Sequence, residues 1–182
     1  MTTAQAEKII PTGVWKSDPV HSSIGFSVKH MVVATFRGAF TDFDVTLSNE
    51  DGEPRLYGAA TVESVDVRDE NLKGHLLSPE FFDAERTPEI TFTSTGIRAD
   101  GDELIVDGEL TIKDTTKSVE ARGTIFGPVE HPVGGKRVGI DLSTTVDRTE
   151  FGLNWNAELP KGAVVLQNEV TLTVHLELAK EE

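Results

Sequence analysis

The sequence predicts an all-β domain, an antiparallel sheet of about eight strands closed into a barrel. Three observations lead there. Apolar residues recur at every second position through most of the chain, turn-forming residues separate those runs, and glycines fall inside the strand patterns.

The elements follow in order. Ile24, Phe26 and Val28 alternate with Ser23, Gly25 and Ser27, which gives a strand with one apolar face. Between Phe40 and Phe43 the apolar phase shifts by one residue, so a bulge or bend is expected at Thr41 and Asp42. Asn49-Glu50-Asp51-Gly52 reads as a hairpin loop. The stretch from Arg68 to Pro88 lacks strand character, and its Leu72, Leu76 and Leu77 fit one side of a short helical connection around 69–83. Ile90 and Phe92 resume the alternation, and Asp100-Gly101-Asp102 turns the chain into Leu104, Val106, Leu110 and Ile112. Pro132 with Gly134-Gly135 marks another turn before Val138, Ile140, Leu142 and Val146. The longest run places Val164, Leu166, Val170, Leu172, Val174, Leu176 and Leu178 on one face. Gly25, Gly38, Gly58, Gly108 and Gly123 lie inside these patterns, where they suit barrel corners or leave room in the interior. Closure also removes exposed strand edges.

Composition bounds the function. The 182 residues fit one domain over 1–182, with a core from about 14 to 178 and a flexible lead over 1–12. A net charge of −14 repels phosphate backbones, and no cluster of lysine or arginine offers an exception, so no nucleic-acid partner is expected. The absence of cysteine excludes disulfides, thiolate metal sites and cysteine nucleophiles. No segment reads as an export signal or a membrane span, so the expectation is a cytoplasmic protein without integral membrane association.

Catalytic constellations are sparse. Asp18, His21 and Ser22 match triad members by type but sit too close on an extended segment to form one. His21, His30, His75, His131 and His175 show no metal-ligand spacing, and no metal or catalytic residue is assigned. Local hydrogen bonds, with Asp18 or Asp69 for instance, are the simpler role for the histidines. A barrel of this size either fills with side chains or holds one small ligand. The inward faces mix large residues with Gly58, Ala60, Ser94, Gly108, Ala121 and Gly123, and alternation alone leaves both outcomes open. Phe81-Phe82 lie in a connection and need burial, as a plug on the barrel end or a lip around an opening.

Particular segments add what periodicity does not. Trp15-Lys16-Ser17-Asp18-Pro19-Val20-His21-Ser22, Phe26-Ser27-Val28-Lys29-His30-Met31 and Phe36-Arg37-Gly38-Ala39-Phe40 resemble the opening of the YceI-like family. The resemblance continues through Arg68-Asp69, His75 to Asp83, Pro88 to Phe92, Gly108 to Lys113, Asp147-Arg148 and Phe151-Gly152-Leu153. It implies an extended, eight-stranded, lipocalin-like barrel that holds a long apolar lipid, a polyisoprenoid or quinone-like molecule, with no other cofactor. Family members are often exported; with no signal visible here, a periplasmic role does not carry over. With parity supplying the lining, the expected ligand-binding residues are Ile24, Phe26, Val28, Ile90, Phe92, Leu110, Ile112, Ile140 and Leu142, with Phe81 and Phe82 at one end. His21, His30 and His75, which match the family's motifs, are placed near the pore mouth, within reach of a polar head group.

The leading expectation is therefore a non-enzymatic lipid carrier, in which a homodimer is admissible. Two rivals are a histidine–carboxylate enzyme, using Asp18 with His21 or Asp69 with His75, and a solid-core interaction module.

Overall fold

A computed structural model describes residues 9–182. All of its named strands belong to one antiparallel sheet. They are β1 (Gly13–Ser17), β2 (Ser23–His30), β3 (Ala34–Phe40), β4 (Phe43–Asn49), β5 (Arg55–Thr61), β6 (Val65–Asp66), β7 (Glu89–Asp100), β8 (Glu103–Ile112), β9 (Thr115–Glu130), β10 (Lys136–Asp147) and β11 (Leu166–Lys180). A helix, α1 (Glu70–Leu77), lies between β6 and β7.

The barrel closes through eight strands, in the order β1, β4, β5, β7, β8, β9, β10, β11 and back to β1. β1 and β2 are two segments of one bent path, and β3 and β4 are two segments of the next. β11 pairs with β1 near one end and with β2 near the other. The first break contains Pro19, which has no N–H to give to a ladder, and the Asp18 carboxylate accepts from Val20 N at 2.8 Å. The second break falls at Thr41 and Asp42, where the apolar phase changes. At Thr61 the chain leaves β5, makes a 3-10 turn over Val62–Ser64 and returns as β6 to pair with Ala39 and Phe40. Beyond that short pairing, among the described residues no strand lies beside the outer edge of β3 from Ala34 to Gly38.

The β8–β9 turn holds Lys113 and Asp114 at φ 52° and 63°, the left-handed pair that a two-residue hairpin loop requires. α1 begins where the Asp69 side chain accepts from Leu72 N at 2.9 Å. Its Leu76 is buried, and the following turn buries Phe81, Phe82, Ala84 and Thr87. These residues pack with Phe40, Leu110, Ile112, Phe151 and Leu153, so α1 and its turn cover one end of the barrel.

The core is in two parts. Toward the other end, Ile10, Trp15, Leu47, Leu56, Ile97, Leu104, Val106, Val138, Ile140 and Leu178 pack into a continuous cluster. Burying a side chain of this size stabilises the fold by about 1.5–3 kcal/mol each. This half is solid. At the chain's start Gly13–Ser17 is a strand, and Ile10, within the segment expected to be a flexible lead, is 2% exposed. The Asn49 amide donates to the Ile10 carbonyl at 2.9 Å, which fixes that segment. The rest of the lead, residues 1–8, lies outside the described residues.

Candidate functional site

The capped half of the barrel is hollow. It encloses a cavity of about 600 Å³, within the range of about 300–1,000 Å³ typical of small-molecule sites. At roughly 30 Å³ for each water-sized group, that is space for about 20 heavy atoms. Its floor is made by Val45, Leu56, Ala121, Leu142 and Leu176, which also belong to the solid cluster beneath. The cavity is therefore blind at that end.

Two inward phenylalanines shape the walls. Phe26 lies over Gly38, its direct cross-strand partner, and Phe92 lies over Gly108. A Cβ at Gly108 would meet the Phe92 ring at 2.3 Å and the Thr93 carbonyl at 2.7 Å. These glycines do not leave the lumen empty, as their position suggested; each makes a seat for an aromatic ring. The volume lies on the open side of the rings. Phe26 continues into an aromatic group with Phe36 and Phe40, centroids 6.1 and 5.8 Å away, and Phe40 meets Phe82 edge-on at 5.7 Å.

The expected lining divides clearly. Ile24, Phe26, Val28, Ile90, Phe92, Leu110, Ile112 and Leu142 border the cavity, as do Phe81 and Phe82 in its cap. Ile140 does not. It shares parity with Leu142 but lies one step deeper, 1% exposed, inside the solid cluster. His30 borders the cavity at the end of β2. His21 does not; it lies on the outer surface in the break between β1 and β2, with its Nδ1 3.0 Å from the Asp18 carboxylate. His75 borders the cavity, and its partner is Glu80 at 2.7 Å. Asp69, the expected partner, is committed to capping α1.

Several bordering residues were not expected: Phe36 in β3, and Leu72, Phe151, Trp155 and Arg148 outside the strands. Trp155 packs against His75 and Phe81, with centroids 4.9 and 5.6 Å away. His30 at the end of β2 and Ala34 at the start of β3 are exposed and form part of the rim. The hairpin tip between them, Met31-Val32-Val33, is exposed, and Met31 and Val32 take left-handed φ of 53° and 65°.

The surroundings are almost entirely apolar. Arg148 is the main departure, a guanidinium 5% exposed at the cavity edge. Burial pulls its pKa below the ordinary arginine value, and Asp147 opposes that shift. On the outer surface, Asp18, His21 and Glu177 bring ligand-type atoms within 4.8 Å of one another, a grouping distant in sequence that spacing did not reveal. The Arg137 Nε lies 3.5 Å from Glu177, so this is an ion-pair cluster with its own cation.

Comparison with known proteins agrees with this architecture. The YceI-like domain matches residues 15–178. The chain belongs to the YceI-like family. It is 33% identical over 166 residues to a UPF0312 protein of Staphylococcus epidermidis, covering 89% of this chain and 95% of that one. It is 31% identical over 136 residues to protein YceI of Escherichia coli O157:H7, covering 73% and 71%. Among solved structures, Burkholderia cenocepacia BcnA superimposes with a TM-score of 0.76 at 23% identity, over 88% of this chain and 98% of that one. A polyisoprenoid-binding domain from Saccharophagus degradans, implicated in plant cell wall breakdown, gives a TM-score of 0.69 at 12% identity, over 94% and 100%. These structural likenesses establish the barrel fold. No helix among the described residues is long and apolar enough to cross a membrane.

Proposed function

We propose that this YceI-like protein binds and carries a long apolar lipid, polyisoprenoid or quinone-like, in the hollow half of its barrel. The observation that carries the reading is the blind cavity of about 600 Å³, walled by aliphatic and aromatic side chains. The polyisoprenoid-binding domain of Saccharophagus degradans, which shares the barrel, supports the ligand class. The proposed contacts are Ile24, Phe26, Val28, Ile90, Phe92, Leu110, Ile112 and Leu142 along the tail, Phe81 and Phe82 at the cap, and His30 at the rim.

Relative to water, burying about 20 carbons contributes on the order of 15 kcal/mol, at about 0.8 kcal/mol each. The cargo's cellular alternative is a bilayer, where the same surface is already dry. Net affinity is then a small difference set by packing and by the head group. That balance favours a reversible carrier over an enzyme. The residues favour it too: the Asp18–His21 pair is on the outer surface, the Asp69 carboxylate caps α1, and His75 pairs with Glu80 instead. A homodimer belongs to the same proposal, supported by the exposed Phe126, Val129 and Val133 around the β9–β10 hairpin. Sedimentation as a monomer throughout the micromolar range would remove that part.

Organic extraction of the purified protein, followed by mass spectrometry, tests the function. A polyprenyl or quinone-class lipid near one equivalent is expected. A clean extract, from protein that also takes up no added isoprenoid, overturns it.

A further inference from the structure

The most buried polar side chain bordering the cavity is that of Arg148. Its side chain is held in place by three main-chain carbonyls: Nε donates to Gln167 O at 3.0 Å, and Nη1 donates to Leu153 O at 2.5 Å and to Trp155 O at 2.9 Å. Nη2 is buried and makes no hydrogen bond. Among the described residues no carboxylate forms an ion pair with this guanidinium. The adjacent Asp147 carboxylate is occupied instead by Thr149, accepting from its N–H at 2.9 Å and its hydroxyl at 2.5 Å.

A buried cation without a counter-ion is costly, and so is an orphaned donor on it. Neutral carbonyls would be served equally well by a neutral donor, so the three that position Arg148 do not explain why a charge is placed there. The location is informative. Arg148 follows the end of β10 at the capped end of the barrel, beside Phe151, Leu153 and Trp155, whereas the floor at Leu142 and Leu176 is wholly apolar. An amphiphile with its tail on the floor brings its head to the level of Arg148.

We propose that Arg148 is the head-group anchor of the cavity, and that the preferred cargo is an isoprenoid-type amphiphile ending in an anionic oxygen group, a phosphate or a carboxylate. Such a head accepts from Nη2 and supplies the missing counter-charge. Charge-assisted bonds of this kind are about twice as strong as neutral ones. The tail gains little relative to a bilayer, so the head decides which lipid is taken. This inference rests on the carrier reading above and specifies its ligand.

The test compares two twenty-carbon probes that differ only at the head, geranylgeranyl phosphate and geranylgeraniol, by displacement of the neutral dye diphenylhexatriene from the wild-type protein. The phosphate is expected to bind at least ~10-fold more tightly. In R148M that preference is expected to fall to within about 3-fold. Because Arg148 also braces three carbonyls, the wild-type protein supplies a second readout that holds even if R148M does not fold: the side-chain Nη resonances of Arg148 in arginine-labelled protein. These are expected to shift with the phosphate and stay in place with the alcohol. Equal affinity of the two probes overturns the anchor and leaves the carrier standing. A phosphate preference with unmoved Arg148 resonances, or one retained in folded R148M, also overturns the anchor. If neither probe displaces the dye, the carrier reading itself fails, and the anchor with it.

Discussion

Gly38→Ala and Gly123→Ala are the same substitution on paper, and the cavity makes them different. At Gly38 the three atoms nearest an added Cβ all belong to the Phe26 ring, Cζ at 2.5 Å and the two Cε atoms at 2.9 and 3.2 Å. Ordinary contact begins at 3.4 Å, so the ring must retreat by about 0.9 Å. It borders the cavity and has space to do so. The strain is then near the lower end of the usual overpacking cost, about 1 kcal/mol, and the reduced entropy of the unfolded chain offsets part of it. At Gly123 the Cβ would meet Asp141 O at 1.8 Å, Asp141 C at 2.7 Å and Leu142 Cα at 3.0 Å, all of them backbone. Relief requires moving a paired strand by about 1.6 Å, and the expected loss is above about 3 kcal/mol. Urea unfolding followed by circular dichroism measures both, with unchanged m as the check on two-state behaviour. If Gly38→Ala costs as much as Gly123→Ala, the Phe26 ring has nowhere to go and the hollow beside it is not there.

Ile140→Ala in the solid half is expected to lose about 3–5 kcal/mol, against about 1–2 kcal/mol for Ile90→Ala beside the cavity; equal losses in denaturant titrations would contradict the division. Asp114→Gly places a residue without Cβ at a φ of 63° and is expected to stabilise by about 0.5–1 kcal/mol, seen as a raised melting temperature; a lowered one contradicts the turn assignment. The hydrogen bond to Asp18, with the charges of Asp18 and Glu177, raises the His21 pKa above 6.5, while Arg137 opposes it. The same hydrogen bond leads the causes that lower Asp18 below 3.8. The His21 contribution to stability is thus complete below pH 6.5 while Asp18 is ionised, and fades as pH rises through the raised folded value. At the acid end the Asp18 contribution is lost as pH falls from 3.8 through its lowered folded value. Proton NMR of the His21 ring is expected to titrate above 6.5 and to move down in Asp18→Asn; an unmoved midpoint refutes the pairing.

The strands were legible because each has one dry face. Leu104, Val106, Leu110 and Ile112 announce β8, and all four are buried. The shift of phase at Thr41 and Asp42 likewise marks a true break, since a one-residue slip exchanges the faces. Parity also found most of the cavity wall. It failed at Ile140, because depth along a barrel is not encoded in alternation. Ile140 and Leu142 are equivalent by period, and what separates them is the side chains that reach the axis from other strands, such as Trp15 and Leu104. The cap was only partly readable. Phe81 and Phe82 showed a need for burial, but the partners Phe151 and Trp155 come from a segment without period. Arg148 entered the sequence reading only through the family resemblance, and its burial comes from the fold around it. Glu177 meets His21 only because β11 runs beside the break after β1.

A crystal structure of protein purified without any delipidating step tests the hollow barrel most directly. The expected result is elongated density between Phe26 and Phe92, starting at Leu142 and ending near Arg148. Side chains filling that space from Leu142 to Phe82, with no density other than their own, would contradict it.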